Sequence, residues 1–329
     1  MNRKICHIIC LFTITLLSCN LQSQDSHLSQ FYNTEMLFNP SMTGMFNEDF
    51  QAHLQYRNQW SSVVSNPFTT SLASFDMPIN KFGIGGFILY NNSGLSNLNI
   101  TNAVISGAYE ITNDPSGEHQ LTTGIQVGFI QKNISPESLT FNNQFTGIGS
   151  APYNTNLQNN ESFVVDNFLL PDLNFGINYS NKSEKNKIHY RVGLAGFHLT
   201  RPKETFLGSE NRIPMKYILR AGGSLDIANN DKLESHFLYM KQGNVNQFNF
   251  GVLYTKYLQS TEIYLFTGPY YRNFDAIIYH FGFIYNGCRV GLSYDFNIST
   301  LSTVSNYRGA FEISITYRRA LNMLLPSIY

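Results

Sequence analysis

The sequence predicts an all-β protein, a transmembrane antiparallel β-barrel of about 14 strands in an outer membrane. Three observations carry that expectation. The first is composition. Charged residues make up 13% of the 329 residues while aromatics reach 14%, with 26 Phe and 20 Tyr against one Trp. Soluble domains carry about 25% charge. Mean hydropathy is −0.18, too polar for a bundle of membrane helices. A barrel gives this balance, because lumen-facing polar residues dilute the lipid-facing ones. The second is alternation. In 290–298, Val290, Leu292, Tyr294, Phe296 and Ile298 are apolar and Gly291, Ser293, Asp295 and Asn297 are small or polar. The third is loop length, which sorts by parity along the chain.

Taken in order, the first 23 residues read as a signal peptide. Arg3 and Lys4 form its basic start, and Ile5–Leu17 an apolar run too short to span a bilayer as a helix. Two cleavage readings compete. "LLSC" resembles a lipoprotein box that would leave a lipidated Cys19; cleavage after Ser23 would leave Gln24 as the first residue. The second is favoured by a resemblance given below. It leaves Cys288 alone of the four cysteines, so no disulfide framework exists. Residues 24–49 then form a periplasmic segment ahead of the barrel, which occupies 50–329.

Fourteen strand-like segments follow: 50–57, 68–76, 82–91, 99–111, 119–131, 171–180, 187–198, 216–227, 233–241, 246–256, 261–268, 275–286, 288–296 and 309–318. Most have the length a tilted strand needs to cross a bilayer. Their stripes are explicit. Phe82, Ile84, Gly86, Ile88 and Tyr90 form one, Ile277, Tyr279, Phe281, Phe283 and Tyr285 another, and Phe311, Ile313, Ile315 and Tyr317 a third. Connections after even strands are short: "MPINK", "TNDPSGE", "NKSEKN", "ANNDK", "YLQS" and the hairpin dipeptide Asn286-Gly287. Those after odd strands are mostly longer, above all 132–170 and 199–215; the fifth and sixth are short. Short periplasmic turns and long outward loops are the outer-membrane pattern, and an even strand count returns both termini to the periplasm. A secreted β-sandwich is the competing architecture, but it has no reason to sort loops by parity. The loop 132–170 reads either as a flexible surface loop or plug, or as a contact surface for another protein. Open and plugged lumens both fit the pattern.

The chemistry-bearing residues are sparse. The net formal charge is zero, which gives nothing to attract nucleic acid. Eight His are scattered without metal-ligand spacing, and no nucleophile elbow is present. "GIGG" at 83–86 reads as a bend or bulge in a strand rather than a phosphate cradle. Ser293, Asp295 and His280 are drawable as a rim hydrolase set, but polar residues belong on a lumen face in any case. Glu110, Glu262 and Glu312 read as isolated partners of lumen arginines such as Arg191, Arg220 and Arg318. No enzyme, cofactor or metal is expected.

Four stretches resemble the PorP/SprF family: "QDSHLSQFYNTEMLFNPSMTG" (24–44), "YRNQW" (56–60), "FHLTRP" (197–202) and "GLSYDFNISTLSTVSNYRGAFEISITY" (291–317). The first matches the start of mature family members and favours cleavage before Gln24. The resemblance implies an outer-membrane barrel of the type IX secretion system, with secretion components and a surface adhesin cargo as partners, linked to secretion or gliding, and no cofactor. Its motifs imply a docking surface at the outer mouth made by Arg57, Trp60, Arg201, Lys203, Asn297, Ser299 and Thr300. They also imply that 24–44 either plugs the lumen or touches a periplasmic ring. The C-terminus "RRALNMLLPSIY" departs from the Cys-Pro ending the resemblance leads one to expect. The alternative function is a porin or transporter for a small or hydrophobic solute.

Overall fold

The computed structural model describes residues 25, 27–94, 98–114, 118–135, 139–147, 153–154, 156–157, 166–181, 187–205 and 211–319. The expected signal peptide, Cys19, Gln24 and the C-terminal residues 320–329 lie outside them. Fourteen strands are present: β1 Gln51–Gln59, β2 Phe68–Ile79, β3 Phe82–Ser93, β4 Asn99–Glu110, β5 His119–Asn133, β6 Asn167–Asn181, β7 Ile188–Phe197, β8 Lys216–Asp226, β9 Lys232–Gln242, β10 Val245–Leu258, β11 Ile263–Arg272, β12 Ala276–Tyr285, β13 Cys288–Asn297 and β14 Arg308–Arg318. Each pairs antiparallel with its sequence neighbours, and β1 pairs with β14 from Gln51↔Arg318 to Gln59↔Ala310, closing the barrel. Closure is what hydrocarbon demands, since an open edge there would leave backbone groups unpaired. No helix among the described residues is long and apolar enough to cross a membrane; the strands do the crossing.

All fourteen predicted segments are strands. Most ends move by one to three residues; β6 and β11 shift furthest, by four residues at one end. β6 starts at Asn167, not 171. It pairs with β5 along its whole length but with β7 only from Phe175. Pro171 therefore sits where no β7 partner needs its missing N–H. There the chain after β7 supplies donors instead, Leu199 N to Leu173 O (3.0 Å) and Thr200 Oγ1 to Pro171 O (2.8 Å). β11 runs two residues later at its start and four later at its end, because 259–262 form the preceding turn and the ladder to β12 continues through Pro269↔Tyr279.

The alternation holds. In β12 every second residue is exposed, Ile277, Tyr279, Phe281, Phe283 and Tyr285, while His280, Gly282 and Ile284 face inward. Aromatic pairs ring one end of the outer wall, including Phe82–Tyr109, Phe50–Phe75, Tyr179–Tyr190 and Tyr257–Tyr264. Trp60–Phe68 and Phe250–Tyr271 lie toward the other end. Such girdles mark the two interfaces of a bilayer. The first end, the turn end, carries the even connections, including Asn286-Gly287 with φ of 47° and 76°, the left-handed pair a type I′ turn requires. The second, the loop end, carries the odd connections 60–67, 94–98, 134–166, 198–215, 243–244, 273–275 and 298–307.

The apolar core lies inside the barrel. Residue 25 and residues 27–50 do not stay outside β1; they run back through the lumen. Asp25 sits at the loop end, on Lys216, His198 and Gln242 at the ends of β8, β7 and β9. Asp49 is at the turn end, its N–H bonded to Arg319 O (3.2 Å). The strand count brings the barrel's first and last strands to the same end, but the segment before β1 reaches the opposite mouth. Phe31, Tyr32 and Phe38 of this segment pack among Phe197, Leu238, Phe266 and Ile278 of the wall; Leu28 and Met36 pack on Leu72, Phe87 and Val104. Burying each such side chain stabilises by about 1.5–3 kcal/mol.

Candidate functional site

The lumen is a built site whose occupant is the chain's own N-terminal segment. It is held at four levels. Near the loop end, β1, β11, β13 and β14 bring together Arg57, Arg272, Asp295 and Glu312, all at most 2% exposed. Arg57 pairs with Asp295 (2.9 Å) and Glu312 (3.1 Å), and Arg272 with Asp295 (2.6 Å) and Asp275 (2.5 Å). Into this quartet the segment inserts a turn. Glu312 accepts the backbone N–H groups of Ser29 (2.8 Å) and Gln30 (2.7 Å), and Asp295 accepts the Ser29 hydroxyl (2.8 Å). Buried charges persist when paired and hydrogen-bonded, and two guanidiniums meet two carboxylates here, with Arg57 Nε left without an acceptor among the described residues.

At mid-depth Glu35, in a single 3₁₀ turn Glu35–Leu37, pairs with Arg191 and lies 3.8 Å from Arg220. Tyr32 bonds His280 Nδ1 through its hydroxyl (3.0 Å), and Gln126 of β5 donates to Met36 O (2.8 Å). Asn39 caps the next 3₁₀ turn, Pro40–Met42, accepting from Ser41 N (3.0 Å), and donates to Ile177 O of β6 (3.1 Å). Close approach needs glycine here. A Cβ on Gly124 would meet the Pro40 carbonyl, and one on Gly83 the Thr43 carbonyl. The segment can lie against β3 and β5 only because those wall positions have no side chain. Lower still, Gly44 N donates to Asp76 (2.8 Å) and Thr43 bonds Ser106 (2.5 Å).

At the mouth, His198 follows β7 in a left-handed conformation (φ 57°) and bonds both Asp25 and Asp172 at 2.9 Å. Both ring nitrogens thus face carboxylates, the arrangement of an imidazolium. Burial lowers the His198 pKa, but Asp25 and the bond to Asp172 raise it to about 9. Burial raises the Asp25 carboxyl, yet Lys216 and His198 together hold it well below the usual carboxylate value.

The predicted docking residues divide. Arg57 is 2% exposed and grips Ser29 and the two acids; it faces the lumen, not the outer surface. Asn297 is buried and shapes the 298–307 loop, accepting from Ser299 N (2.9 Å) and donating to Ser305 Oγ (3.1 Å). Trp60 (φ 61°) is half-buried against Phe68, with its N–H on Gly309 O (3.0 Å), and Ser62 bonds Ser305 O (3.3 Å). The 60–67 and 298–307 loops therefore form one unit that contains Trp60, Ser299 and Thr300. Arg201 and Lys203 are exposed on the β7–β8 connection, half the ring away, where Lys203 bridges to Arg212. Of the proposed hydrolase set, Asp295 is bound by two arginines and His280 by Tyr32. Glu312 pairs with Arg57, while Arg191 and Arg220 serve Glu35, a partner the strand pattern gave no means of finding because Glu35 lies outside the strands. Exposed Leu301, Val304 and Tyr307 also went unnoticed; a lone apolar residue in a loop carries no periodic signal. Among the described residues no cluster of His, Cys, Asp and Glu is placed to hold a metal.

Residues 20–317 match the family described as type IX secretion system membrane protein PorP/SprF. The chain belongs to the PorP/SprF family. Its fold is shared with solved outer-membrane barrels at low identity. The Ralstonia pickettii toluene transporter TbuX superposes with a TM-score of 0.51 at 10% identity, covering 88% of this chain and 93% of that one. The TodX deltaS2S3 mutant monoaromatic hydrocarbon channel gives 0.51 at 10%, covering 87% and 94%. At that identity the likeness concerns the barrel alone. No curated protein sequence matches. The family makes this PorP/SprF protein a membrane component of the type IX secretion system, with other components of that system as its partners, and its fold is that of outer-membrane barrels.

Proposed function

We propose that this PorP/SprF protein anchors or handles a secreted surface adhesin by docking it at the loop end, which faces outward while the turn end faces the periplasm. One observation carries the reading: the barrel's own N-terminal segment, fixed to the wall by buried ion pairs, fills the lumen. A plugged barrel with elaborated loops at one mouth is suited to holding a protein there, not to passing solute freely. The docking surface has two parts. One is the joined loop unit with Trp60, Ser299, Thr300 and the exposed Leu301, Val304 and Tyr307. The other is the basic β7–β8 connection with Arg201 and Lys203. Arg57 and Asn297 support the first from within.

The test is affinity purification of the tagged protein from crosslinked cells under mild detergent, with mass spectrometry. Recovery of an adhesin with type IX components, reduced when Arg201 and Lys203 are both changed to Glu or when Tyr307 and Val304 are changed to Ser, supports docking. The barrel recovered alone, together with steady conductance in planar bilayers, would instead support the solute-channel alternative.

A further inference from the structure

Above the plug, at the loop end, the lumen face changes character. Phe87 and Leu89 of β3, Ile130 of β5, Phe197 of β7 and Met240 of β9 occupy positions that alternation assigns to the polar side. With Phe38 of the plug as floor, and with the polar Lys132, His198, Glu204, Lys216, Gln242 and Gln247, they line a cavity of about 100 Å³ that opens toward the mouth. Its apolar part is of the order that takes one benzene-sized ring. At its edge stand Asn91 of β3 and Asn102 of β4, diagonal neighbours across the Leu89↔Asn102 and Asn91↔Ile100 pairs. Their side-chain oxygens are buried and accept no hydrogen bond among the described residues. A buried acceptor without a donor is costly, so these oxygens stand ready to accept from a ligand that reaches them. The charges at the rim are mutually satisfied, Lys132 with Glu204, Lys216 with Asp25, and His198 with Asp25 and Asp172. They offer no surplus to a charged ligand.

We infer that this cavity binds an uncharged aromatic ring bearing one O–H or N–H donor, the chemistry of phenol or indole. The ring fills the apolar space over Phe38 and Leu89, and its donor meets the Asn91 or Asn102 oxygen. The same chemistry is available from a free aromatic solute or from a Tyr or Trp side chain of a bound protein.

The experiment is saturation-transfer NMR and calorimetric titration of the full protein in amphipol, using phenol, indole, benzene, benzoate and N-acetyltryptophanamide as probes. Phenol and indole bind saturably and benzoate does not. Asn102→Leu together with Asn91→Leu weakens phenol about fivefold, the value of one neutral hydrogen bond, while benzene is not weakened. Cavity-filling Leu89→Phe abolishes phenol binding. Ile130→Phe does the same from β5, two strands away, and each variant's fold is checked by its heat-shifted gel mobility. Binding of N-acetyltryptophanamide with indole assigns the ring to a protein side chain; binding of the free aromatics alone assigns it to a solute. The inference is overturned if phenol shows no saturable binding, if benzoate binds as well as phenol, or if folded Leu89→Phe and Ile130→Phe proteins bind phenol as the wild type does.

Discussion

Glu312→Gln tests whether the ion quartet is what holds the N-terminal segment. Each Glu312 oxygen meets two donors. Oε2 accepts from Ser29 N (2.8 Å) and Arg57 Nη1 (3.1 Å), and Oε1 from Gln30 N (2.7 Å) and Gln55 Nε2 (2.5 Å). A glutamine turns one of these oxygens into an NH₂ group, so whichever way it sits, two donors lose their acceptor in a fully buried site. A hydrogen bond to a charged group contributes about 1.5–3 kcal/mol, so two amount to about 3–6 kcal/mol. Removing one member of a buried ion cluster falls in the same range. If local opening of the Ser29–Gln30 turn bears this loss, its amide exchange accelerates at least about a hundredfold, since each 1.4 kcal/mol is a factor of ten. Hydrogen–deuterium exchange of the peptide spanning 27–34 reads it directly, with the β5 and β12 peptides as internal controls. Exchange unchanged within about threefold, with both controls unchanged, would refute the claim that Glu312 fixes the segment. Equal acceleration in all three peptides would show a loosened barrel instead.

Further outcomes follow from the same contacts. Gly124→Val drives a side chain into Pro40 and lowers the midpoint of heat-induced gel-shift unfolding by the equivalent of about 1–3 kcal/mol, whereas Gly107→Ala, where a Cβ meets nothing, leaves it unchanged. Deleting residues 28–46 opens the lumen and produces steady conductance in planar bilayers where the wild type is silent. The mouth latch is pH-dependent. His198 is raised from 6.5 to about 9, so its contribution is complete below pH 6.5 and lost as pH rises through 9. Asp25 is lowered below 3.8, so its contribution is present above that pH and lost as pH falls beneath it. Protection at the segment's start, corrected for intrinsic exchange, is therefore greatest between about pH 4 and 6.5, and His198→Gln removes the alkaline limb of the profile.

Much of the barrel was legible in the sequence because a strand in lipid obeys a rule local to a few residues. Side chains alternate between two solvents, so stripes such as Ile277–Tyr285 state both the strand and its facing, and Asn286-Gly287 states its turn. Length and parity of the connections then state closure. The β6 boundary was misplaced because Pro171 is tolerated only where β7 stops short, and the extent of a neighbouring strand is not written near Pro171. The same limit governs the site. The residues 24–44 stood out by resemblance, with lumen and periplasm both open as destinations. Nothing in the strand pattern says that Glu35 meets Arg191, that Ser29 meets Glu312, or that Gly124 exists to admit Pro40. These pairs lie far apart in the chain, and they form only when closing fourteen strands brings one lumen face around a segment that has none of their periodicity. Alternation by itself determined which side of each strand faces inward. What fills that inside, and which predicted surface arginine is in truth a buried clamp, was decided only by the closed tertiary structure, because burial and ion pairing are properties of the assembled lumen.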